Sequence, residues 1–164
     1  MPATRIIISL TVDVEDAWID YNGHMSVPYY AHLFDRCAEQ FFEQLGLGLT
    51  SAANGRGTLF ALEQHTIYLR EVLAGSRLKV SLQILDWDEK RIHYFMRMEN
   101  AETGIAAATS EQLAIHVDLA TRKSTPLPAD VLTSFTDLWN RDKTEAPEEA
   151  GHIIRIRRKR LPEE

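Results

Sequence analysis

A single cysteine, Cys37, stands in 164 residues, so no intrachain disulfide can form. No Cys/His spacing suits a zinc site. The thiol falls among the apolar positions of a helical pattern, where a small buried hydrophobe is the expected role. No run approaches the ~18 apolar residues of a membrane span, and the N-terminus lacks the apolar core of a secretory leader. A soluble, reducing, cytoplasmic setting with no membrane partner is therefore expected. Excess basic charge is also missing. The net charge is −6, and five of the 18 basic side chains crowd into residues 155–160 (Arg155, Arg157, Arg158, Lys159 and Arg160). With that run and Glu163–Glu164 set aside, residues 1–150 hold 13 basic against 22 acidic groups, or −9. That balance argues against general nucleic-acid binding. Internal repeats are absent as well. What remains is 45% hydrophobic and 26% charged, an ordinary composition for one globular domain with one core.

Residues 5–14 alternate, with Ile6, Ile8, Leu10, Val12 and Val14 on one parity, which predicts a half-buried strand. The pattern breaks over 15–26, a loop containing Trp18-Ile-Asp-Tyr-Asn-Gly-His24. Ser26 suits an N-cap and Pro28 a first helical turn. Apolar side chains then recur at 30, 31, 34, 37, 38, 41, 42 and 45, with polar ones between, and Gly46 supplies a stop. This predicts one long amphipathic helix. After a loop at 47–57, four strand-like runs follow: Thr58–Arg70, Leu78–Leu85, Arg91–Glu99 and Ile105–Val117. Their connections are of hairpin length, so an antiparallel meander is expected. Pro126 and Pro128 introduce a short second helix with Val131, Leu132, Phe135, Leu138 and Trp139 on one face. The domain is read as residues 1–140. Residues 141–164 are read as a polar linker and a basic tail or edge strand, since Ile154 and Ile156 alternate with Arg155 and Arg157. The fold class is α+β: an antiparallel sheet wrapped around one long central helix, with a short C-terminal helix. Such a sheet has unpaired edges, and dimerisation is the natural remedy.

Asp20 is the leading chemical candidate. It lies beside Gly23, just before a helix start that offers free N–H groups and a partial positive charge. A carboxylate there suits work on a carbonyl whose oxygen becomes negative; a simple turn aspartate is the bland alternative. Asn22-Gly23 is a strong turn signal. His24 is an acid, a base or a structural hydrogen-bonding group. In Thr58–Arg70 the odd positions read Leu59, Ala61, Glu63, His65, Ile67 and Leu69, which puts Glu63 and His65 on the inward parity. Glu111 is read the same way among Ile105, Ala107, Leu113 and Ile115. Inward ionisable groups need partners or a cavity, so a polar pocket is expected. Trp18, Tyr21, Tyr30, Phe60 and Trp87 are candidate pocket walls, with faces that attract quaternary ammonium groups. Lys90 and Arg91, or Arg122 and Lys123, follow tight turns and suit a phosphate.

With Trp18–His24 and the helix through Gly46 in view, the chain resembles the hotdog-fold acyl-CoA thioesterases, in the 4-hydroxybenzoyl-CoA thioesterase-like group. Asp20-x-x-Gly23, a tyrosine a few residues on and the long helix carry the resemblance. Within the group the chain is similar to the betainyl-CoA thioesterases of carnitine catabolism, in residues 18–25, 59–65, 68–71, 88–93 and 111–118. The resemblance implies hydrolysis of a short acyl-CoA to free acid and CoA. It implies a homodimer, with a tetramer open, whose active sites lie at the subunit boundary. Asp20 takes the catalytic position, as nucleophile or as general base. Trp18, Tyr21, Asn22, Gly23, His24, Tyr30, Phe60, Glu63 and His65 surround the substrate. Backbone N–H of Gly57 and Thr58, or of the turn near Gly23, holds the thioester oxygen, and Lys90 and Arg91 meet the CoA phosphates. No metal or redox cofactor is implied, CoA being part of the substrate. Glu63 stays open as the catalytic carboxylate, as it is in some hotdog enzymes. A dehydratase using His24 or His65, and a non-catalytic acyl-CoA or quaternary-amine binding protein, are the other readings.

Overall fold

The computed structural model describes residues 2–4 and 8–155. Its elements in chain order are β1 (Pro2–Thr4), β2 (Ile8–Asp13), a 3-10 turn (Asp16–Trp18), α1 (Val27–Gln44), α2 (Leu49–Ala53), β3 (Thr58–Tyr68), β4 (Arg77–Trp87), β5 (Arg91–Asn100), β6 (Ala106–Asp118), β7 (Lys123–Ser124), α3 (Ala129–Asp142) and β8 (Lys143–Glu145). Ile6 of the expected first strand, and Ile156 to Arg160 of the basic run, lie outside the described residues. Among those described, no helix is long and apolar enough to cross a membrane.

The long helix begins after Ser26, although the Ser26 hydroxyl makes no capping bond, and it ends at Leu45 before Gly46 at φ +68°. Its buried stripe is Tyr30, Leu33, Phe34, Cys37, Ala38, Phe41 and Phe42. Leu33 joins the expected set, while Ala31 is exposed. The stripe packs against Leu78, Val80, Leu82 and Ile84 of β4 in one main core. Phe34 is 0% exposed at its centre. Phe34→Ala is expected to cost about 3–5 kcal/mol of stability, read as a lower denaturant midpoint at unchanged slope. Burial pushes the Cys37 thiol up to about 11, in keeping with its expected role as an inert core group.

The sheet departs from a simple meander. Its order is β2-β4-β5-β6-β3, all antiparallel, with β7 on β6. The meander covers β4 to β6, but β3 crosses over to pair with β6 and becomes an edge. The loop at 47–57 also holds the five-residue α2. An antiparallel sheet wrapped on one long helix is the arrangement implied by the resemblance. Beyond the sheet, β1 pairs with β8 in a two-stranded ribbon, and Ala3 is buried with Leu85 and Phe95 on the sheet's outer face.

Three side chains face the other way from expectation. Leu62 is an extra residue in β3, because the register slips between Ala61 and Glu63. Leu59 and Ala61 therefore face the helix with His116 and Ala114, but Glu63 and His65 oppose Leu113 and Glu111 on the outer face. A bulge reverses parity beyond it, and Glu63 ends up exposed. Glu111 also faces outward. The helix side of β6 carries Ser110, Gln112 and Ala114, where the buried Tyr94 hydroxyl donates to Gln112 Oε1 (2.8 Å) and Gln112 Nε2 donates to Ser110 Oγ (3.0 Å). These polar groups satisfy one another, so the core tolerates them on a face that a hydrophobicity pattern would assign to solvent.

Candidate active site

Trp18 and Met25 anchor the loop before α1. They are 7% and 1% exposed, while Tyr21 between them is 97% exposed. Trp18 stacks on Tyr29 of the first helical turn with centroids 5.3 Å apart. The Ser26 N–H donates to Trp18 O (2.9 Å) and the Met25 N–H to Val72 O (2.7 Å). Between the anchors the chain makes a tight reversal, with a bridge from Ile19 to Met25. The Asp20 N–H donates to His24 O and the Gly23 N–H to Asp20 O, both at 3.0 Å. Gly23 sits at φ +80°, a conformation the missing Cβ makes accessible. The Asn22 N–H donates to Asp20 Oδ1 at 2.8 Å. One carboxylate oxygen of Asp20 is thereby fixed in the turn, and the other accepts no hydrogen bond from the described residues. The result is an oriented, half-buried carboxylate in the turn that precedes the long helix.

This loop lies at one end of β3. Tyr30 meets Tyr68 edge-on with centroids 5.1 Å apart, and residues 68–72 run beside the loop. Gly57 and Thr58 lie at the other end. Eleven residues of strand put about 33 Å between the two ends. The structure thus separates the expected site residues into two groups: Trp18, Asp20, Tyr21, Asn22, Gly23, His24 and Tyr30 at one end, and Gly57, Thr58 and Phe60 at the other. Trp87 belongs to neither, since it packs on Phe135 and Trp139 beneath α3. Phe60 is covered by the Arg122 guanidinium, 5.2 Å from the ring centroid.

Glu63 and His65 do reach a polar cavity, on the outer face and away from Asp20. It is about 450 Å³ and is lined by Glu63, His65, Asp86, Arg91, His93 and Glu111, among others. His93 Nε2 lies 2.7 Å from Glu111 Oε1, and the Gly151 N–H donates to Glu111 Oε2 (2.6 Å), which ties the C-terminal segment to the sheet. Of the phosphate candidates, Arg91 is paired with Asp88, whose carboxyl its hydrogen bonds pull down to about 2. Lys90 lies 3.5 Å from Glu89. Among the described residues no cluster of His, Cys, Asp and Glu has a metal-binding arrangement.

Sequence reasoning missed His116. It is 2% exposed and joins three segments. Nδ1 is 2.9 Å from Pro126 O, ahead of α3, and Nε2 is 3.1 Å from Arg56 O, ahead of β3. Arg56 is held in addition by Asp130 (2.8 Å), whose carboxyl is lowered by that bond. Only the pairing of β3 with β6, with two strands between them in sequence, brings Arg56 to His116. A periodicity argument has no access to that pairing.

Comparison with known proteins gives a consistent result. A sequence profile described as the Thioesterase-like superfamily matches residues 14–135. The L-carnitine dehydrogenase/betainyl-CoA thioesterase of Rhizobium meliloti (strain 1021) is 36% identical over 142 residues, covering 86% of this chain and 28% of its own length. The chain thus spans little more than a quarter of that protein. The betainyl-CoA thioesterase of Pseudomonas aeruginosa is 30% identical over 152 residues, 92% of this chain and 96% of that one. A Staphylococcus aureus protein whose structure was solved in complex with CoA superposes with a TM-score of 0.86 at 32% identity, over 94% of this chain and 97% of the other.

Proposed function

We propose that this chain, which belongs to the thioesterase-like superfamily, hydrolyses an acyl-CoA thioester to free acid and CoA, and that betainyl-CoA is its substrate. The observation that carries the reading is Asp20: a carboxylate held by its own turn, with one oxygen open, at the start of the long helix. It either attacks the thioester carbonyl or takes a proton from the water that does. In both cases the C–S bond breaks and CoA leaves as a thiolate that is then protonated; the general base sends water straight to the acyl carbon, whereas the nucleophile forms an acyl–Asp20 anhydride that water then splits into the acid and the Asp20 carboxylate. The chemistry uses no resident cofactor and belongs to a cytoplasmic setting.

The working unit in this reading is a homodimer. Among the described residues no strand lies beside the β3 edge, and of its eleven side chains only Glu63 carries a fixed charge to discourage pairing. Phe60, Leu62 and Tyr68 on it are 36%, 54% and 49% exposed. Antiparallel pairing of two β3 strands places the Tyr68 end of one against the Thr58 end of the other. Asp20 of one chain then faces Gly57 and Thr58 of the second, whose backbone N–H groups hold the developing oxyanion. The separation of about 33 Å within one chain thereby becomes proximity between two. The relatives named betainyl-CoA thioesterase and the exposed rings of Tyr21 and Tyr68 favour a trimethylammonium acyl group, held by aromatic faces.

The test is thiol release across a panel of acyl-CoA thioesters that includes betainyl-, acetyl- and benzoyl-CoA. Betainyl-CoA is expected to give a kcat/KM at least about tenfold above the others, the size of one well-placed cation–π contact. Binding without thiol release would sink the hydrolase reading. Faster turnover of acetyl- or benzoyl-CoA would sink the betainyl assignment alone.

A further inference from the structure

On the thioesterase reading above, the peptide between Arg56 and Gly57 is the oxyanion donor's own support. Gly57 is buried, yet its N–H donates to no acceptor among the described residues. A buried donor without an acceptor is unfavourable, and where one persists it calls for an explanation, a catalytic role among them. Its backbone is at φ +89°, and a Cβ there would lie 2.7 Å from both His116 Nε2 and Val117 O. Only glycine lets the chain cross so closely over the imidazole. The Arg56 carbonyl and the Gly57 N–H belong to one planar amide and point in opposite directions. His116 Nε2 sits on the carbonyl side at 3.1 Å. Its Nδ1 faces the Pro126 carbonyl at 2.9 Å. Carbonyl oxygens only accept, so the ring bonds to a carbonyl through the nitrogen that carries its proton, and the tautomer with that proton on Nε2 donates to Arg56 O.

We propose that His116 is a positioning residue for the hydrolysis, acting through the Arg56–Gly57 peptide. Donation from Nε2 to the Arg56 carbonyl fixes the plane of the amide, and so aims the Gly57 N–H at the thioester oxygen across the dimer boundary. The same donation polarises the amide, because hydrogen bonds in series strengthen one another. The Gly57 N–H then binds the oxyanion of the transition state better than the neutral thioester, and that difference raises kcat. Pro126 O and the Arg56–Asp130 pair hold the ring and the loop from behind, which makes the donor preorganised.

The full-length protein, assayed for thiol release from betainyl-CoA, tests this with two substitutions. His116→Leu keeps the volume and removes the ring N–H. It is expected to lower kcat by about 10- to 100-fold, below the loss for deleting an oxyanion donor outright, with KM within about threefold. His116→Gln keeps one N–H near the position of Nε2 and is expected to recover most of the loss. A folded His116→Leu protein with kcat within about threefold of wild type, or a His116→Gln protein as impaired as His116→Leu, would overturn the proposal. A second readout does not depend on His116→Leu folding. The chain has eight glycines, so a ¹⁵N-glycine spectrum resolves the Gly57 amide. A ketone analogue of the substrate, with CH₂ in place of the thioester sulfur, is expected to move that proton downfield in wild type and less in His116→Gln. An unmoved Gly57 resonance in the wild-type complex would overturn it too. Absence of thiol release from the wild-type protein would instead remove the underlying thioesterase reading.

Discussion

Asp20→Asn is expected to lower kcat for thioester hydrolysis by about 10³-fold or more, equivalent to at least ~4 kcal/mol of transition-state stabilisation, with the thermal midpoint changed little. The two halves of this expectation come from different atoms of one side chain. Asp20 Oδ1 accepts the Asn22 N–H, and an asparagine oxygen accepts it equally well, so the turn from Ile19 to Met25 survives. The free oxygen is replaced by an amide NH₂, which can neither attack a carbonyl nor take a proton from water. Substrate affinity should change by less than threefold, because the acyl and CoA contacts are untouched. Retention of more than about a tenth of wild-type kcat by a folded Asp20→Asn protein would remove Asp20 from the chemistry. Single turnover of the wild-type enzyme in H₂¹⁸O then separates the two roles. Heavy oxygen entering the Asp20 carboxylate marks a nucleophile. Heavy oxygen found only in the released acid means that water attacked the acyl carbon, as the general-base route requires.

That the turn holding Asp20 is legible in the sequence, and the setting of His116 is not, follows from what each depends on. The helix from Val27 to Gln44 and the loop before it are local structures. Their signals (Asn22-Gly23, Pro28, the 3.6-residue apolar period, Gly46) act within a few residues of the groups they place. The outward turn of Glu63 and His65 depends on one inserted residue, Leu62, whose effect is to reverse parity. An alternating string with a single insertion still reads as an alternating string. Glu111 failed for a related reason. The outer face of β6 is itself partly covered by the segment near Gly151, so apolar side chains such as Leu113 occupy it, and polar Ser110 and Gln112 turn inward because Tyr94 completes their hydrogen bonds. The crossover that seats β3 beside β6 is a long-range pairing, and hairpin-length connections favour the meander instead. It is this crossover that leaves β3 as an edge, sets Gly57 over His116, and puts the two halves of the proposed site at opposite ends of one strand.

Mixing two inactive proteins is expected to restore activity, and this is the strongest test of the composite site. Gly57→Ala places a Cβ 2.7 Å from the Val117 carbonyl and the His116 ring at φ +89°, so the loop before β3 must shift and the oxyanion donor moves with it. Asp20→Asn leaves that loop intact but lacks the reacting carboxylate. Each homodimer is therefore defective at both of its sites. In a heterodimer, one site combines both lesions. The other combines the normal Asp20 of the Gly57→Ala chain with the normal Gly57 of the Asp20→Asn chain. Random reassortment makes half the dimers mixed with one good site of two, so refolding equal amounts together should return roughly a quarter of wild-type activity. The separate proteins should each stay below about one hundredth of it. If the catalytic carboxylate and the Gly57 amide instead served the same chain's site, each mixed dimer would contain two singly defective sites, and activity would stay at the average of the two variants. A mixture that assembles into heterodimers, shown by differential tagging and co-purification, yet stays at that average would refute the shared site. It would require Asp20 to work within its own chain, with an oxyanion donor from the turn at Gly23 in place of the distant end of β3.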